Sequence, residues 1–140
     1  MTTRADRYTQ LDKIPDLFSD FLVDLTPHPI TKDLSRSRND QAIKNSIRNL
    51  VLTNYGERFF QPNIGSSVNR SLFEPDDAFL ENDLVDSITR TITNNEPRAT
   101  VVDVSVVPTD QDNSIRIDIT FFIINNMQLQ SVDVILRRVR

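Results

Sequence analysis

The sequence predicts an α+β fold, with two main helices packed on one face of a C-terminal three- to four-stranded antiparallel sheet. Three observations predict it. Apolar residues recur at helical spacing in two stretches, Asn39 to Asn54 and Asp77 to Asn95. Beyond Pro97 the pattern changes to alternation, clearest where Ile115, Ile117, Ile119, Phe121 and Ile123 enclose Arg116, Asp118 and Thr120. The breaks between the alternating runs are short and rich in Asp and Asn, as the turns of a meander require.

Composition sets the outer limits. A chain of 140 residues can bury a core of its own as one domain. Residues 1–31 read as a polar, partly flexible segment and residues 32–140 as a single α+β domain. An apolar fraction of 38% is low for a globular chain, so part of the surface is expected to rest on a partner. With no cysteine there is neither a disulfide framework nor a thiolate nucleophile or metal ligand. A net charge of −4 argues against nucleic-acid binding, which depends on neutralising phosphates. No long apolar run and no N-terminal signal pattern occur, so neither a membrane-spanning nor a conventionally secreted protein is expected. Lys13, Lys32 and Lys44 are the lysines; every other basic residue is arginine, which suits bidentate pairing at interfaces but also fits a lineage bias in composition.

Taken in order, "LFSDFLVDL" (Leu17 to Leu25) is apolar enough for a strand or a short amphipathic turn. "TPHPI" breaks it, because Pro27 and Pro29 remove backbone donors. "TKDLSRSR" reads as a short exposed strand. The first helix places Ile43, Ile47, Leu50 and Val51 on one face, with Asn39 or Asp40 as its cap and Asn54 and Gly56 at its end. The loop-rich stretch to Pro75 holds both glycines of the chain, each expected where a side chain or a negative φ does not fit. Within it, Ser66 or Ser67 can cap a short helix through Leu72 and Phe73. The second helix, capped by Asp76 or Asp77, repeats Leu80, Leu84, Ile88 and Ile92, widened by Phe79 and Val85. Val102, Val104 and Val106 then alternate, "PTDQDNS" turns the chain, and Asn125-Asn126 closes a hairpin into a last strand that runs to the end of the chain.

Catalytic constellations are scarce. His28, the single histidine, lies between two prolines in a loop, away from any nucleophile pattern, and one histidine without cysteine does not make a zinc site. Two glycines cannot build a phosphate loop. Glycoside hydrolysis needs only two carboxyls, one with a raised pKa. Glu57 and Glu96, however, each stand one or two residues from an arginine, and a neighbouring guanidinium pushes a carboxyl the other way. No catalytic, cofactor-binding or metal-binding residue is expected.

Binding surfaces are easier to find. The last strand is an open edge, either blunted by Arg137, Arg138 and Arg140 or left free for strand addition while Val132, Val134 and Leu136 pack inward. Glu96-Pro97-Arg98 stands between helix and strand. It is either plain punctuation by proline or a rigid turn that presents two charges to a partner.

"AIKNSIRNLVLTNYGERFFQPNIGSSVNRSLFEP" (Ala42 to Pro75), followed by "NNEPR", resembles the baseplate wedge and sheath-initiator family of contractile phage tails, which includes a component of type VI secretion systems. Leu52, Thr53, Gly56, Glu57, Arg58, Pro62, Gly65, Ser66, Leu72, Phe73, Glu74, Pro75, Glu96, Pro97 and Arg98 carry the match, which spans about residues 32 to 139. The resemblance implies a structural protein of the virion tail baseplate, assembled in the host cytoplasm. Six copies would surround the tail tube, without cofactor, nucleic acid or membrane. It further implies that Glu96, Pro97 and Arg98 bind the wedge core bundle, supported by Gly56, Glu57 and Arg58. The strand with Val132, Val134 and Leu136 would then dock the first ring of tail sheath protein by strand exchange. On that reading Arg98→Ala should lose the partner while leaving the fold intact. The alternatives are a lysozyme-like peptidoglycan hydrolase carried in the baseplate, and the equivalent subunit of a type VI secretion or other contractile injection system.

Overall fold

The computed structural model describes residues 16–22, 24–71, 80–109, 114–124 and 128–137. Its elements run β1 (Ser19–Phe21), β2 (Arg36–Arg38), α1 (Asn39–Leu52), α2 (Val68–Ser71), α3 (Leu80–Asn95), β3 (Ala99–Thr109), β4 (Ser114–Ile123) and β5 (Leu129–Arg137). The main sheet is the expected antiparallel meander, three strands in the order β3-β4-β5. The two weak N-terminal stretches pair with each other as a separate ribbon, β1 antiparallel to β2.

One face of the sheet is apolar and packs on the helices, α3 against β3 and α1 against β5. The core joins Ile43, Ile47 and Val51 of α1 and Leu84, Ile88 and Ile92 of α3 to Ile117, Ile119, Phe121 and Ile123 of β4 and to Val132, Val134 and Leu136 of β5. These are the helical stripes and strand alternations of the sequence, now facing each other.

In three places the backbone departs from expectation. α1 starts from Arg38 without a side-chain cap, and Asn39 itself adopts φ +48°. Its Oδ1 accepts the N–H of Leu17 at 2.9 Å, so the side chain expected to cap the helix instead ties down the segment before β1. α1 ends at Leu52 with Thr53 as cap, whose N–H and hydroxyl both donate to the Asn49 carbonyl. In β3 the register shifts between Val101 and Asp103, a bulge that breaks the expected Val102-Val104-Val106 alternation. Val102 turns out to solvent, 52% exposed, while Val101 takes the place against the core.

Ser66 does serve α2, accepting the N–H of Val68 at 3.4 Å while donating to the Val51 carbonyl at 2.6 Å. The expected caps Asp76 and Asp77, the Leu72-Phe73 helix, residues 110–113 of the β3–β4 turn, Asn125-Asn126, Arg138 and Arg140 lie outside the described residues. His28 organises its own loop: Nδ1 accepts the N–H groups of Ile30 and Thr31, and its backbone N–H donates to the Asp33 carbonyl at 2.7 Å.

Candidate partner-binding site

α3 does not stop cleanly at Asn95, because the Glu96 N–H still closes a helical bond to the Ile92 carbonyl at 2.8 Å. The Glu96 carbonyl then accepts the N–H of Ala99 at 3.2 Å, which makes residues 96–99 a turn with proline at its second position, where its fixed φ belongs. The N–H of Ile124 donates to the Arg98 carbonyl at 3.1 Å and fastens the turn to the end of β4.

This reversal folds the two charged side chains onto each other. Arg98 Nε donates to Glu96 Oε1 at 2.5 Å and Nη2 to Oε2 at 2.7 Å, a fork-to-fork pair. The Glu96 side chain is only 3% exposed and that of Arg98 30%. Ser46 of α1 adds a side-chain hydrogen bond to the same carboxylate. The Arg98 guanidinium lies 5.4 Å from the ring centre of Phe18, a cation–π contact, and feels the negative charge of Asp20. Asn39 holds Phe18 in place, donating its N–H to the Phe18 carbonyl at 2.8 Å. The turn is therefore a junction of the β1 ribbon, α1, α3, β3 and β4.

Burial pushes the Glu96 carboxyl up, but the hydrogen bonds from Arg98 and Ser46 and the charge of Arg98 outweigh it. The net direction is below the ordinary 4.5. Pairing with Glu96 raises Arg98 in turn, against its own partial burial. Glu96 is thus not displayed to solvent; Pro97 is exposed, and Arg98 half-buried. The expectation that Arg98→Ala spares the fold gives way to this geometry, since removing the guanidinium leaves a buried carboxylate with its main partner gone. Ser46 and Phe18 were not legible as parts of the site. Ser46 had one signal, a small polar residue beside the Ile43-Ile47 stripe.

Gly56, Glu57 and Arg58 shape a loop of their own. Gly56, at φ +83°, donates its N–H to the Pro62 carbonyl at 2.9 Å, and Glu57 Oε2 accepts the N–H of Asn54 at 2.9 Å. Gly65, at φ +145°, closes the loop so tightly that a Cβ would lie 2.7 Å from the Thr53 carbonyl oxygen. The buried Thr91 hydroxyl of α3 donates to the Gly65 carbonyl at 3.0 Å. No hydrogen bond or ion pair joins residues 56–58 to residues 96–98 among the described residues. The two segments are linked through α3, on which both are anchored.

Val132, Val134 and Leu136 are buried against the helices, so their side chains belong to the core. What β5 offers outward is backbone. Arg48 Nη2 of α1 donates to the Asp133 carbonyl at 3.4 Å. That carbonyl therefore points away from β4, and by the two-residue repeat so do the N–H and C=O groups of Ser131 and Ile135.

A general acid needs an apolar setting that keeps its proton on. Glu57 is exposed, Glu96 is held ionised by Arg98, and Asp83 and Asp86, which line an open groove with Tyr55, Ser87 and Arg90, are exposed on α3. Among the described residues no group of three His, Asp or Glu side chains is placed to hold a metal ion.

Residues 37–128 match the family model of the baseplate wedge protein gp25, and the chain is 33% identical over 95 residues to baseplate wedge protein gp25 of Enterobacteria phage T4, covering 68% of this chain and 72% of that protein. The chain belongs to the gp25 family of baseplate wedge proteins. The resemblance carried by residues 42–75 and 96–98 is thus a family membership. Among solved structures, a Geobacter sulfurreducens chain named as a candidate tail lysozyme superposes with a TM-score of 0.64 at 19% identity, covering 70% of this chain and 89% of its own. A chain of the six-fold symmetrised baseplate of the anti-feeding prophage gives 0.62 at 22% identity, over 84% of this chain and 83% of that one. A chain of the type VI secretion baseplate complex gives 0.56 at 14% identity, over 68% and 90%. These likenesses show a shared fold of helices and antiparallel sheet. The gp25 match ends before β5, so the strand expected to meet the sheath lies beyond the matched residues.

Proposed function

We propose that this gp25-family chain is a structural wedge component of a contractile tail baseplate, set near the tail tube in six copies. The Glu96-Pro97-Arg98 turn grips the core bundle of the wedge proteins, and the β5 edge starts the sheath by strand exchange. The assembly belongs to the virion and forms in the host cytoplasm. The same arrangement would serve a type VI secretion or other contractile injection system. The single observation that carries the reading is the locked turn. A fork-to-fork pair, backed by Ser46 and Phe18, holds Pro97 and the outer edge of Arg98 in one geometry, so little ordering entropy is lost when a partner closes over them. Glu96 acts from inside, as the residue that positions Arg98. Gly56, Glu57 and Arg58 support the surface indirectly, through the hold of Thr91 on the loop base.

The test is co-purification with the wedge proteins encoded beside this chain. Pro97→Glu places a carboxylate on the exposed corner without touching the Glu96–Arg98 pair. Binding should fall at least tenfold, on the scale of a disrupted interface anchor, with the thermal midpoint within a few degrees of wild type. Undiminished binding would remove the turn from the interface. A hydrolase role is disfavoured, because Glu96, the most enclosed carboxylate among the described residues, is held ionised by Arg98. A zymogram in which clearing disappears with Glu57→Gln or Glu96→Gln would overturn that judgement.

A further inference from the structure

Among the described residues, Phe59 and Phe60 are the most exposed large apolar side chains, at 97% and 99%. They occupy the two central positions of a turn in which the Gln61 N–H donates to the Arg58 carbonyl at 3.2 Å. The loop beneath them is rigid at every level: Gly56 N–H to the Pro62 carbonyl, Ile64 N–H to the Gln61 carbonyl, Ser66 N–H to the Thr53 carbonyl, and Thr91 on Gly65. A well-braced loop holding two bare phenyl rings in water is an exposed apolar patch that the domain's own packing leaves unexplained.

We propose that Phe59 and Phe60 form an apolar anchor that seats in a hydrophobic groove, rimmed by carboxylates, on a neighbouring wedge protein. Charge complementarity sets the rim. Arg58 is exposed beside the anchor with no carboxylate paired to it among the described residues, while Glu57 turns its Oε2 back onto the Asn54 N–H. Size sets the kind of partner. Two phenylalanines bury about 300–500 Å² between them, against roughly 800 Å² per side in a stable interface. The anchor is therefore too small to hold a dimer alone and fits a neighbour already held by another contact. Position names that neighbour. The loop base is tied by Thr91 to α3, about one and a half turns before Glu96, whereas the sheath edge lies across the sheet at β5. The anchor thus extends the proposed wedge interface, and the inference rests on that reading.

The experiment uses the full chain and the purified wedge proteins of the same genome. Phe59→Ser/Phe60→Ser should weaken wedge binding on the order of 30-fold, as expected for two aromatic anchors, and leave the thermal midpoint unchanged. A photo-crosslinking phenylalanine analogue at position 60 should join to a wedge protein. Arg58→Glu should weaken binding several-fold at low salt and less at high salt. Wild-type affinity of the double variant overturns the anchor, and if Pro97→Glu still loses binding in the same assay, the wedge reading survives without it. A cross-link to the sheath protein or to a second copy, or a lowered thermal midpoint in the double variant, would also overturn it.

Discussion

Glu96 and Arg98 form an ion pair that is neither fully buried nor on the surface, and its worth follows from that. An exposed pair contributes little because water screens it, while breaking a fully buried one costs several kcal/mol. With the carboxylate 3% and the guanidinium 30% exposed, Arg98→Ala should cost about 2 kcal/mol, between those limits. Chemical denaturation checks it. Arg98→Lys should recover part of the loss, because it keeps the charge and gives up the fork. The pH dependence has a definite sign. The folded Glu96 carboxyl lies below its ordinary 4.5, so its contribution is present in full above that value and disappears as the pH falls through the lower, folded value. Wild type should lose stability on acidification below 4.5, and Glu96→Gln should flatten that part of the curve. Equal slopes for the two proteins would show that the pair contributes nothing to folding.

At the scale of elements, the two glycines separate two kinds of constraint. Gly56 needs glycine only for its φ, since a Cβ there would meet nothing within 4 Å, whereas Gly65 has both a positive φ and the Thr53 carbonyl in the way. Gly56→Ala should cost about 1–2 kcal/mol, and Gly65→Ala more, about 3 kcal/mol or above once the steric conflict is added. Thermal or urea unfolding of the pair measures the difference. Both positions were legible in the sequence, because a chain with so few glycines places them where nothing else fits. The helical stripes and the β4 alternation were legible for the same reason, each being a periodicity that burial imposes. What the sequence concealed were relations between distant residues. The β3 bulge moves Val102 outward, and a repeat of valines cannot reveal a shift that depends on the partner strand. Asn39 has the chemistry of a cap, which helix starts favour; tertiary contact with Leu17 and Phe18 claims its side chain instead. The pairing of Glu96 with Arg98 was within reach of sequence, two residues apart across a proline. The hydrogen bond of Ser46 to Glu96 and the stacking of Phe18 on Arg98 were not, as these partners lie far along the chain.

Across the whole molecule, the two proposed contact surfaces sit at opposite margins of one sheet. The turn opens β3, and the proposed docking edge is β5, with α3 and α1 packed behind them. Such a layout suits a part that must hold one neighbour while offering a template to another. The core couples the two margins, because Val132, Val134 and Leu136 pack into the same cluster as Ile88 and Ile92. Deleting β5 to test the edge would remove those side chains and unfold the domain, so the edge has to be interrogated in the intact chain. Amide hydrogen exchange of the full-length protein, alone and bound to the sheath protein of the same genome, does this most directly. The amides of Ser131, Asp133 and Ile135 should exchange freely in the isolated protein and become protected in the complex, while those of Val132 and Val134 should be protected in both. A sheath complex in which Ser131, Asp133 and Ile135 still exchange at the free rate would contradict strand addition at β5.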